Sequence, residues 1–154
     1  METKIIDNWL DKDLVEYLNH YFLYDFPHYY GHKSIDENKD CFYMSMLNPK
    51  DALNHFLFYK IKKTLDKNLN LERMYINIQH PNMNGSFHSD EGDITCLYMA
   101  TKTLNNNGHF QIKGEGKIDF VQNRLIAFDA KKLHRGLAPT NDVRITLAFK
   151  THVS

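Results

Sequence analysis

Two hydrophobic periods divide this chain. In the first part the spacing is helical: Leu14, Val15, Leu18, Tyr21 and Phe22 recur three and four positions apart within residues 11–23, and Asp11 is placed to cap the first turn. A second helix is predicted from Asn48, with Asn48 as its cap and Pro49 in the first turn, where a missing N–H costs nothing. Ala52, Leu53, Phe56, Leu57 and Ile61 then form its apolar stripe, which ends near Asp66 after a basic last turn that suits the helix dipole. Between the helices, residues 24–40 read as an aromatic-rich irregular excursion ending in a charged run, and residues 41–47 as a strand. From Glu72 onward the period drops to two. MYINIQ, SFHSD, ITCLYMA, HFQIKG, KIDFV, RLIAF and VRITLAF are predicted strands, with HPNMNG and NNNG as turns. Helices followed by many short strands predict an α+β domain in which helices buttress one face of a double-sheet β-sandwich or jelly roll. A single domain spans residues 1–154, with 1–70 mainly helical support and 71–150 the β core; no repeat or linker interrupts it.

Composition narrows the partners. Lys and Arg number 19, as do Asp and Glu, so the formal charge is zero and the totals give no electrostatic reason for a nucleic-acid or membrane-surface partner. Two cysteines, Cys41 and Cys96, make no disulfide framework, and Cys96 sits in an apolar run. The first residues break their apolar positions with charges, unlike a signal peptide, and no apolar run reaches membrane-spanning length. A reduced, cytoplasmic setting is the expectation. The totals leave the oligomeric state open.

The chemistry is concentrated between Ser86 and Phe149. His88 and Asp90, two apart on a predicted strand, project to one face, and His134 follows just past RLIAF. Two imidazoles and one carboxylate suit a redox-active non-haem Fe(II) with open positions. H-x-D alone reads first as a solvated turn, and His134 alone as a packed histidine. In VRITLAF, Arg144, Thr146 and Ala148 share one face and Val143, Ile145, Leu147 and Phe149 the other. An inward arginine is costly unless an anion meets it. The loop residues His28, Tyr29, Tyr30 and His32 read as aromatic packing in preference to a substrate grip.

Taken together, H-x-D, a later His, Arg144 ten positions beyond it and Thr146 at twelve resemble the Fe(II)/2-oxoglutarate-dependent dioxygenases over residues 70–150, and within them the prolyl 4-hydroxylase branch. The resemblance implies a double-stranded β-helix core. It implies His88, Asp90 and His134 as catalytic iron ligands, and Arg144 with Thr146 on the far carboxylate of 2-oxoglutarate. Asn77 and Gln79 would contact cosubstrate or substrate; O2 is implied and ascorbate is a further candidate cofactor. The implied reaction hydroxylates an unactivated C–H, first of all a prolyl residue in a peptide or protein, with succinate and CO2 as co-products. A free amino acid or small metabolite is the second substrate class and a nucleobase the third. A non-catalytic metal-binding β-sandwich that serves as an interaction module, and a zinc hydrolase, are the alternatives from other classes. The chain departs from the family pattern at Asp142, where glycine is common, and at Asn107-Gly108, where a glycine pair is usual.

Overall fold

The computed structural model describes residues 1–35 and 41–154. In chain order its elements are β1 (Lys4–Ile6), α1 (Lys12–His20), a π-helical turn Tyr21–Asp25, β2 (Tyr29–His32), β3 (Phe42–Met46) and α2 (Ala52–Leu65). There follow β4 (Leu69–Gln79), β5 (Ile94–Met99), β6 (Phe110–Ile112), β7 (Gly116–Ile118), β8 (Arg124–Asp129), β9 (His134–Gly136) and β10 (Arg144–Val153). The strands form a seven-stranded antiparallel sheet of order β1-β8-β5-β10-β4-β3-β2 and a three-stranded sheet of order β7-β6-β9.

Each central strand is buried on both faces, and its alternation divides the interior into two cores. Ile145, Leu147 and Phe149 of β10, with Cys96 and Tyr98 of β5, pack against Leu18 and Phe22 of the first helical segment and Leu57 and Ile61 of α2. Full burial of each such side chain is worth roughly 1.5–3 kcal/mol, so this face anchors the sheet. On the opposite face, Leu97, Met99, Ile126, Phe128 and Ala148 meet Phe110 and Ile112 of the small sheet. The cleft that concerns function lies at the end of this second layer. The architecture is the α+β jelly roll with helices on one sheet that the patterning predicts.

Several local expectations are corrected. The second helix is capped from Asp51, not Asn48; the Asn48 carbonyl oxygen of the side chain instead accepts from Lys50 N at 3.0 Å, which makes a turn ahead of the helix. The first helix passes at His20 into the π-helical turn. Strands also arise within residues 1–70: β1, β2 and β3, of which β1 pairs with β8 and β2 interrupts the aromatic segment read as irregular. The charged residues 36–40 lie outside the described residues. SFHSD is not a strand; it is a loop touching β9 through one isolated bridge between His88 and His134. Both cysteines are free, with Cys96 buried.

Candidate active site

Long-range backbone contacts bring the three candidate ligands together. His88 N donates to His134 O at 3.1 Å and His134 N returns a bond to His88 O at 2.8 Å, while Asp90 N donates to Ala130 O at 2.8 Å. The loop after β4 is thereby fastened to the start of β9. The His88 Nε2 lies 3.6 Å from Asp90 Oδ1 and the His134 Nε2 lies 3.2 Å from Asp90 Oδ2. One donor atom from each residue falls within 4.8 Å of the others. A divalent ion about 2.0–2.2 Å from each donor, as in zinc sites, spans separations of this size.

The outer nitrogens decide the tautomers. His88 Nδ1 contacts Ser86 O at 2.9 Å and His134 Nδ1 contacts Lys132 O at 2.8 Å. A carbonyl can only accept, so each Nδ1 carries the hydrogen and each Nε2 turns a lone pair inward, the form a metal ligand needs. Phe110 and Phe128 pack against the His134 ring and fix its plane. Burial lowers the His88 pKa, favouring the neutral ring. For Asp90 burial alone would raise the pKa, but the charge and hydrogen bond of the Lys150 ammonium act against it, and the carboxyl is held well below the usual range.

Arg144 closes the other end of the cleft. Its side chain is 2 % exposed. Nε donates to Gly108 O at 2.9 Å and Nη1 to Gln79 Oε1 at 2.6 Å, while the buried Nη2 has no hydrogen-bond partner among the described residues. Burial pushes the guanidinium pKa down from 12.5 to about 9. Gln79 is held in turn, its Nε2 donating to Met83 O at 2.7 Å and Gly136 O at 3.1 Å. Gln79 therefore spends its amide on Arg144 and the backbone, while Asn77 Oδ1 is buried in the same cleft with no hydrogen-bond partner among the described residues. Thr146 lines it from β10. Two glycines allow the approach. A Cβ on Gly136 would stand 2.9 Å from Arg144 Nη1, and one on Gly108, at φ +62°, would stand 2.5 Å from Leu104 Cδ1.

Lys150 is the buried cleft residue that the pattern reading passed over. It continues the inward face of β10 two positions beyond Ala148, and that alternation was the available signal. Its ammonium is 1 % exposed and pairs with Asp90 Oδ2. Thr95 Oγ1 donates to the same oxygen at 2.7 Å. The Lys150 Nζ also sits 5.5 Å from the Tyr75 ring centroid.

The triad, Arg144, Thr146, Asn77, Gln79 and Lys150 thus surround one narrow cleft of about 50 Å³, lined by all of them except Asp90. A wider chamber of about 230 Å³ abuts it, sharing Ser34, Phe42, Tyr75, Asn77 and His88 as a common wall. Tyr29 and Tyr30 are exposed on β2, but Tyr30 lies against the Tyr43 ring and His32 against Phe42, each at 5.1 Å between centroids, while His28 is half-buried with Nε2 on Phe22 O at 2.7 Å. No helix among the described residues is long and apolar enough to cross a membrane.

The sequence matches no protein-family model and no curated protein. The fold, by contrast, matches many solved structures. One is a viral collagen prolyl hydroxylase of Paramecium Bursaria Chlorella virus-1 in its 2-oxoglutarate complex, at TM-score 0.71 and 14% identity, covering 98% of this chain and 96% of that one. Another is a prolyl hydroxylase of Trichoplax adhaerens with a hypoxia inducible factor peptide fragment, at TM-score 0.76 and 13% identity, covering 97% of this chain and 82% of that one. A third is HygX of Streptomyces hygroscopicus with nickel and 2-oxoglutarate bound, at TM-score 0.70 and 8% identity, covering 96% and 81%. The chain therefore has the jelly-roll fold of prolyl hydroxylases and other Fe(II)/2-oxoglutarate oxygenases.

Proposed function

We propose that this protein is an Fe(II)- and 2-oxoglutarate-dependent dioxygenase that hydroxylates an unactivated C–H bond. The observation that carries the reading is the buried Arg144, its Nη2 without a hydrogen-bond partner among the described residues, at the far end of a cleft whose other end holds two imidazole Nε2 atoms and a carboxylate. A buried cation without a counter-anion is costly, and a dicarboxylate spanning the cleft removes that cost. His88, Asp90 and His134 are the residues to hold iron, and the open-faced ligand set suits the ion. Iron bound there would supply the one-electron and O2 chemistry.

The chain's own residues do the rest. Arg144 takes the far carboxylate of 2-oxoglutarate through Nη2, with the Thr146 hydroxyl and the Asn77 amide beside it. Gln79 and Gly108 O hold the guanidinium in place. Leu97, Phe110 and Phe128 keep water from the cleft. The cosubstrate leaves as succinate and CO2, and ascorbate is the candidate accessory reductant.

On the likeness to solved prolyl hydroxylases, the first substrate reading is a prolyl residue in a peptide or protein. A second reading, a free amino acid or small metabolite, is favoured by the small size of the outer chamber. The deciding experiment is anaerobic titration with Fe(II) and then 2-oxoglutarate. A visible charge-transfer band that is lost in Arg144→Ala is the expected result. Iron binding without a band would instead leave a metal-binding β-sandwich.

A further inference from the structure

The two oxygens of Asp90 stand in different surroundings. Oδ1 lies 3.6 Å from His88 Nε2 and Oδ2 lies 3.2 Å from His134 Nε2, so the imidazoles flank both of them. A bare carboxylate placed there would offer an ion either oxygen, or both. Two donors remove that symmetry. Lys150 of β10 and Thr95 of β5 are register partners across the sheet, and both side chains line the cleft. The Lys150 ammonium pairs with Oδ2, and Thr95 Oγ1 donates to the same atom at 2.7 Å. A carboxylate oxygen has about two lone-pair sites, so these two donors fill Oδ2.

The charge of the second donor matters. A divalent ion drawing on both oxygens could push a neutral donor aside. A charge-assisted bond is roughly twice as strong as a neutral one, and an ammonium on Oδ2 also repels a cation that approaches that atom. Lys150 is held for the task. It is 1 % exposed, and its Nζ stands between the Asp90 carboxylate and the Tyr75 ring. The carboxylate meets both donors from a fixed backbone, because Asp90 N is bonded to Ala130 O.

We propose that Lys150 is a positioning residue for the metal: with Thr95 it holds Asp90 Oδ2 away from the ion, so that Asp90 coordinates through Oδ1 alone. This rests on the oxygenase reading and deepens it. An ion that takes one oxygen from Asp90 keeps one more position for other ligands than an ion that takes two. A chelating 2-oxo acid needs two such positions, and O2 needs another. The inward face of β10 thus serves the cosubstrate twice, through Arg144 at one end and through the vacancy that Lys150 protects at the other.

The test uses the full chain carrying aspartate with a ¹³C-labelled side-chain carboxyl, and takes infrared difference spectra of the Mn(II)-loaded against the metal-free protein. The antisymmetric and symmetric carboxylate stretches lie far apart when one oxygen binds a metal and close together when both do. The expected result is a wide separation in the wild type and a narrow one in Lys150→Met. Calorimetry on the same samples is expected to show Mn(II) retained in Lys150→Met and 2-oxoglutarate bound about tenfold more weakly, within the range for loss of an outer partner of a metal ligand. A residue that only supports the fold would weaken the metal and leave the separation wide. A narrow separation in the wild type, or a wide one that survives in Lys150→Met, would overturn the proposal. Should Lys150→Met fail to fold, Thr95→Val keeps the ion pair and frees one side of Oδ2; narrowing is expected there, and an unchanged separation counts against the proposal. If Mn(II) leaves the aspartate bands unmoved, Asp90 is no ligand and the proposal falls with it. Failure of 2-oxoglutarate to bind the wild-type Mn(II) form ends the oxygenase reading, while the spectra still decide the role of Lys150.

Discussion

Arg144 and Gln79 face each other as a register pair across β10 and β4, and their side chains meet at 2.6 Å, Nη1 donating to Oε1. The glutamine is neutral, so it orients the guanidinium without satisfying its charge. Replacing it separates those two effects. Gln79→Leu is expected to weaken 2-oxoglutarate binding by about tenfold, the size of one lost hydrogen bond to a charged group. Gln79→Glu is expected to weaken it further, because an internal carboxylate then competes for Arg144. Calorimetry on the Mn(II) proteins ranks the two, and tighter binding in Gln79→Glu would remove the clamp role from Arg144.

Arg144→Ala removes the clamp itself. Truncating one member of a buried, hydrogen-bonded charge pair costs about 2–5 kcal/mol. The apparent requirement for 2-oxoglutarate should therefore rise by about thirtyfold or more, while iron binds largely as in the wild type. Steady-state kinetics alongside metal stoichiometry checks both halves.

His134→Ala is expected to abolish iron retention and turnover together. The imidazole supplies one of three donors, and its backbone bridge to His88 does not depend on the side chain. The fold should therefore survive, which circular dichroism would establish beside the metal assay. A fully active variant would place the metal elsewhere.

Gly136→Ala tests the packing behind the clamp. The added Cβ would stand 2.8 Å from Gln79 Oε1 and 2.9 Å from Arg144 Nη1. Both side chains must shift, so 2-oxoglutarate affinity should fall by several-fold with metal affinity little changed. Competitive displacement of 2-oxoglutarate by a fluorescent analogue gives the number.

Acid should unfold this protein partly through His28. Its Nε2 is occupied on Phe22 O and its buried Nδ1 has no hydrogen-bond partner among the described residues, so a second proton there would be an unsatisfied donor. Burial accordingly lowers its pKa from 6.5, and burial lowers that of His32 as well. With the folded pKa below the unfolded one, the unfolded chain binds more protons in the acid range. The stability is fully present above pH 6.5 and is lost as pH falls through the lower folded value. Urea midpoints across this range should drop, and His28→Phe should flatten the decline.

The alternation along β10 made both its faces legible, because a strand buried on each side still separates Arg144 and Thr146 from Ile145 and Leu147. The same rule reaches Lys150, yet a lysine near the end of a predicted strand resembles any solvated terminus; only its folded contacts with Asp90 and Tyr75 reveal its burial. His88 and Asp90 are legible only together with His134, Arg144 and Thr146, and the geometry joining them is a loop held by distant backbone, which no local period encodes. Strand β1 escaped for the same reason. Three residues carry little pattern, and their partner in β8 lies more than a hundred positions away. At α2, Pro49 drew the predicted start forward, while Asn48 was engaged in a turn of its own.

The paired backbone bonds between His88 and His134 have a consequence for how metal enters and leaves. The bonds join the loop to β9 through main-chain atoms and need no ion to form, so an ion held there would be a passenger and not a staple. Chelation should strip it without unfolding the chain, and re-addition should refill the site at the speed of diffusion through the cleft. Exchange of one divalent metal for another then becomes a matter of supply in the surroundings, and the fold offers little resistance to the wrong one.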